Sequence, residues 1–140
     1  MYRRRIAMIR IDHIGIPARG RLNAASFVAR IFGLDRETAD DGRFAPVRVS
    51  SGFTLDFFDA PADASQIEPM HVVFVADDRA FDRILGQLRS EGIAYGSEPN
   101  DPANGRVDHP LADRGLYFRT PDGHLFEVMA STPASPAGTA

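Results

Sequence analysis

Apolar positions along the chain fall into two runs that look alike. The first is MIRIDHIGIPARGRLNAASFVARIFGL, from Met8, and the second is EPMHVVFVADDRAFDRILGQLRSEGI, from Glu68. Each opens on a β-branched stretch carrying one histidine, passes a turn, and continues into an amphipathic helix closed by glycine. In the second run Phe81, Ile84, Leu85 and Leu88 stand at i, i+3, i+4 and i+7, a single apolar stripe. Asp77 or Asp78 supplies its N-cap and Gly92 its stop. In the first run Leu22, Ala25, Ser26, Phe27 and Ile31 form a less regular stripe, and Gly33 ends it. His13 precedes Gly33 by 20 residues and His71 precedes Gly92 by 21, so the two histidines are repeat equivalents.

Strand patterns follow each helix. RFAPVRVS and GFTLDFFDA come after the first, joined at Ser-Ser-Gly; IAYGSE, RGLYFRT and HLFEVMA come after the second, with Pro-Asp-Gly joining the last two. The closing strand of each half holds one acid among apolar neighbours, Asp56 in the first and Glu127 in the second. Self-similarity of this kind predicts two related units around one core. One domain over residues 1–131 is expected, with one module at about 9–60 and another at about 69–131. The small polar tail from Thr132 to Ala140 is expected to be disordered.

Composition narrows the function. At 140 residues, 44% hydrophobic and 25% charged, the chain has globular values and length enough for a real core. No apolar run is long enough to span a membrane, and the amino-terminal stretch lacks the pattern of a signal peptide. Cysteine is absent, which removes disulfides and thiolate ligands and fits a cytoplasmic location. A net charge of −3 argues against a nucleic-acid footprint. All sixteen basic residues are arginine, scattered along the chain apart from the terminal triplet Arg3–Arg5, which reads as a solvated end.

The chemistry then rests on few groups. A carboxylate between Phe126 and Val128 in a buried strand costs several kcal/mol, about what burying an unpaired charge costs, unless it is paired or metal-bound. Taken singly, Glu127 has an ordinary explanation in an arginine partner, and His13 and His71 have one as satisfied core histidines. At repeat-equivalent positions they point together to a metal site formed by His13, His71 and Glu127. Two imidazoles and one carboxylate with open positions favour Fe(II) or Mn(II) and tolerate Zn, Ni or Co.

The motifs IDHIGI, His71 opening HVVFV, and GLYFRTPDGHLFEV resemble the vicinal oxygen chelate superfamily of glyoxalase I, extradiol dioxygenases, and fosfomycin- and bleomycin-resistance proteins. The resemblance covers Ile9 to Met129. It implies an α+β fold in which two βαβββ modules form a cup-shaped, eight-stranded mixed sheet, with the metal on His13, His71 and Glu127. From Val107 the text VDHPLADRGLYFRTPDGHLFE follows the extradiol dioxygenase signature: a histidine, six residues, an aliphatic-Tyr pair, two residues, Thr-Pro, one residue, Gly, three residues, Glu. That likeness implies His109 and Tyr117 near a small-molecule substrate that chelates the metal through two adjacent oxygens. Read without it, His109 is a solvated loop histidine and Tyr117 ordinary strand packing. His124 reads as an exposed bystander.

Asp56 departs from the dioxygenase pattern. Ring-cleaving relatives have a catalytic histidine at the matching place, and glyoxalase-type relatives a glutamate that ligates the metal and carries a proton. Three readings follow: an extradiol-type dioxygenase, a lyase or isomerase working through an enediolate, and a non-catalytic ligand-binding member. A homodimer is expected, because a two-module cup leaves sheet edges to be covered. The stretch Ser97–Asp113, rich in Pro, Asn, Asp and Gly, is expected to be a mobile cover over the cup.

Overall fold

The computed structural model describes residues 8–35 and 42–131; Arg3–Arg5, 36–41 and the tail 132–140 lie outside them. The element order is β1 (His13–Ala18), α1 (Arg21–Phe32), β2 (Phe44–Ser50), β3 (Phe53–Asp59), β4 (His71–Ala76), α2 (Asp78–Ser90), β5 (Arg114–Arg119) and β6 (Leu125–Ala130). These build two three-stranded sheets, ordered β1-β3-β2 and β4-β6-β5. In each, the opening strand runs parallel to the closing one and the middle strand runs antiparallel to it. The fold is α+β with the repeat read from the sequence. Six strands form among the described residues where eight were expected. IAYGSE meets β5 at a single bridge, in which Gly96 and Tyr117 exchange backbone hydrogen bonds of 3.0 and 2.7 Å, while Glu98 bridges back to Asp101. The chain beyond Gly96 turns back close over it: a Cβ there would lie 2.5 Å from the Asp101 carbonyl oxygen.

Both helices end alike. Gly33 and Gly92 adopt φ of +66°, and the residue after each donates five residues back, Leu34 to Ala29 and Ile93 to Leu88. Asp77 caps α2 by accepting the Ala80 N–H at 2.8 Å. At α1 the N-cap is Gly20, and Asp59 from the end of β3 accepts the Arg21 N–H instead. The four predicted stripe residues of α2 are its buried ones. In α1, Leu22 is exposed while Ala24, Ala25, Phe27, Val28, Ala29 and Ile31 are buried. The irregular stripe has a tertiary cause, since α1 packs against its own sheet and also meets the other one. Phe27 lies against Phe118, and Phe32 against Phe74, Phe118 and Phe126.

Further ties join the modules. Arg30 of α1 clamps Glu91 at the end of α2 through two hydrogen bonds of 2.8 and 2.9 Å. His124 is buried, which corrects its reading as an exposed bystander. Its Nδ1 accepts the Met70 N–H at 2.9 Å, so the proton sits on Nε2, which donates to the Pro17 carbonyl at 2.7 Å. No helix among the described residues is long and apolar enough to cross a membrane.

Candidate metal centre

Strand alternation decides which side chains share a face. In the first sheet Ile14 and Ile16, with Leu55 and Phe57 beside them, point to the core, which puts His13 and Asp56 on the opposite face. In the second sheet Phe126 and Val128 point to the core and put His71 and Glu127 on the other side. The registers match: His13 pairs with Thr54 and His71 with Leu125, and in both cases the acid stands two residues further along. Asp56 and Glu127 are thus structural equivalents, as are the two histidines.

The second sheet assembles the denser cluster. His71 Nε2 lies 2.9 Å from Glu127 Oε1, and His109 Nε2 lies 2.7 Å from Glu127 Oε2. Glu127 is 6% exposed, and both of its oxygens face imidazoles. No arginine is paired with it among the described residues, so the ordinary explanation of this buried carboxylate does not hold. Tyr117 pairs with Glu127 across the sheet, with its ring near those of His71 and His109. Burial, and then the Glu127 charge, push the Tyr117 phenol above its ordinary value.

His109 comes from irregular chain and is nonetheless fixed. Its side chain is 2% exposed and lies over Gly115, where a Cβ would stand 2.5 Å from its ring. Hydrogen bonds order the middle of the stretch: Asn104 joins Ser97 and Arg106, Gly105 donates to the Tyr95 carbonyl, and Gly115 to the Val107 carbonyl. These bonds lie within the segment that the sequence suggested was a mobile cover.

His13 stands in the first sheet's cluster. Its Nδ1 is 3.0 Å from Asp12 and its Nε2 4.0 Å from Asp56. The Asp12 hydrogen bond, then the Asp56 charge, raise its pKa. The structure therefore brings His71 and Glu127 together, adds His109 and Tyr117 to them, and holds His13 with Asp56. Among the described residues no three histidine or acidic side chains are arranged to hold a metal ion.

The class defined by fold and cluster is a pair of repeated sheet-and-helix modules, each with a histidine on its first strand and an acid on its last. The chain belongs to the Glyoxalase/Bleomycin resistance protein/Dioxygenase superfamily, whose family model matches residues 10–128. Among solved structures it is similar to Oxidase ChaP-H2, with 30% identity and TM-score 0.80 over 92% of this chain and 98% of that one. Oxidase ChaP-H1 follows at 28% identity and TM-score 0.79, over 91% of this chain and 100% of that one. FosX, a fosfomycin resistance protein from Listeria monocytogenes solved with Mn(II), shares the fold at 17% identity and TM-score 0.63, over 91% of this chain and 94% of that one. No curated protein matches the chain.

Proposed function

We propose that the protein is a divalent-metal-dependent enzyme of extradiol dioxygenase type, acting on a small molecule that offers two adjacent oxygens. One observation carries this reading: a buried carboxylate, Glu127, is held by two imidazoles beside a protonated phenol, and all but His71 come from the signature stretch. The donor set suits Fe(II) or Mn(II), with Zn, Ni or Co tolerated. The likeness to two oxidases supports an oxygen-using reaction over an isomerisation. When bound, the ion supplies Lewis acidity and open positions for the two substrate oxygens. His71 Nε2 and Glu127 Oε1, which face each other, are the atoms that would hold it. Tyr117, kept protonated by its surroundings, donates a hydrogen bond where negative charge develops on the substrate.

His13 completes the ligand set in a homodimer. β1 and β4 are edge strands, and β4 leaves Val73 and Val75 47% and 66% exposed on the His71 face. A second copy laid over these edges would bring one copy's His13–Asp56 pair to the other's His71–Glu127 pair. Mixing His13→Ala protein with His71→Ala protein should then restore metal binding at one of two centres. No restoration, or a scattering mass near 15.3 kDa, would refute the arrangement.

Asp56 sustains a second reading, a lyase or isomerase, because it is the equivalent of Glu127 and lies by a ligand histidine. Oxygen uptake with a panel of catechols on anaerobically Fe(II)-loaded protein separates the two. Oxygen-dependent ring cleavage is expected. Oxygen-independent turnover of a 2-oxoaldehyde adduct, abolished in Asp56→Asn, would give the second reading the site.

A further inference from the structure

The signature places His109 beside substrate, yet its ring is fully engaged elsewhere. Nδ1 accepts the Leu111 backbone N–H at 3.0 Å. A nitrogen that accepts carries no proton, so the neutral ring bears its proton on Nε2. That proton points at Glu127 Oε2, 2.7 Å away, and the ring is closed off from solvent over Gly115. Leu111 is itself 83% exposed, so the loop holds His109 through its backbone and not through Leu111 packing. We infer that His109 is a positioning residue: with its tautomer set by the Leu111 N–H, it anchors Glu127 through Oε2 and leaves Oε1 turned to His71, the two side chains that would hold a divalent ion. A carboxylate fixed by a neutral donor keeps its charge for the metal and loses its rotational freedom. The ion's place rests on the metal reading above; the hydrogen-bond chain does not.

Two measurements test this on the full chain. In metal-free protein, long-range ¹H–¹⁵N correlation of the imidazoles should show His109 unprotonated at Nδ1 and protonated at Nε2. In Leu111→Pro, which deletes the backbone donor and also fixes φ there, that pattern should blur. The opposite tautomer in wild type overturns the inference. Mn(II) titration supplies the second measurement. His109→Ala should weaken binding by roughly 10–100-fold, as losing an outer-shell partner does, and His109→Gln, whose amide N–H reaches the Nε2 position, should recover part of it. Equal affinity in wild type and His109→Ala overturns the positioning role and leaves the metal reading intact. No Mn(II), Fe(II) or Zn binding by folded wild type overturns the metal reading and this role together. A loss in His109→Ala that Gln does not mend overturns the claim that the donated proton is what matters.

Discussion

Replacing His124 by alanine tests whether the two modules are joined through one buried ring. The substitution removes the acceptor of the Met70 N–H and the donor to the Pro17 carbonyl, and it empties a fully buried site. Each lost hydrogen bond costs roughly 1–1.5 kcal/mol net. The vacated ring volume and its contacts add about 2 kcal/mol, the low end for a large-to-small core change. The sum is about 4–5 kcal/mol, a quarter or more of the roughly 5–15 kcal/mol that holds an ordinary domain together. In urea, with a slope of about 2 kcal/mol per molar, the midpoint should fall by about 2 M. His124→Asn keeps an acceptor where Nδ1 stood, and His124→Gln keeps a donor where Nε2 stood, so both should fall between wild type and alanine. Met70 directly precedes His71, so metal affinity should drop with stability in the alanine variant. A midpoint shift corresponding to less than about 1 kcal/mol, below the net value of even one such bond, would refute the account.

Gly115→Ala should drive the His109 ring off Glu127, because the new methyl would stand 2.5 Å from it; a loss of about 1–3 kcal/mol, the usual cost of overpacking, is expected in thermal unfolding, together with weaker Mn(II) binding. Asp59 is held below its ordinary value first by the Arg21 backbone N–H and then by its guanidinium, so the stability it contributes is present above the ordinary carboxylate value of 3.8 and is lost as pH falls through the lowered one. Acid titration of Asp59→Asn should accordingly show a shallower loss of stability than wild type. The Tyr117 phenol is raised above 10.0, so its contribution is complete below that value and is lost as pH climbs through the raised one; near-ultraviolet titration of Tyr117→Phe should lack the late-ionising phenol. In turnover, the same variant should lose about 10²–10³-fold in rate, the scale of a missing charge-stabilising donor, with metal content unchanged.

The sequence by itself carried the repeat, the two helices with their glycine stops, and the equivalence of Asp56 with Glu127. These features are local, since periodicities of two and 3.6 residues and left-handed glycines are written in consecutive residues. It also singled out His71 and Glu127 at repeat-related places, and the family resemblance pointed to His109 and Tyr117; the structure sets these four side chains beside one another. Tertiary structure decided what each group touches. His124 looked like a turn residue and proved to be a buried tie, since its partners Pro17 and Met70 are 107 and 54 residues away in sequence. The stretch 97–113 read as loose by composition, but hydrogen bonds order its middle and its histidine lies over a glycine that leaves room for the ring. IAYGSE has strand-like residues, yet the chain folds back over Gly96 and its ladder with β5 ends after one bridge. Whether His13 meets His71 was never a local matter, because spacing fixes a residue's place on its strand, while the packing of one module against another fixes which strands face each other.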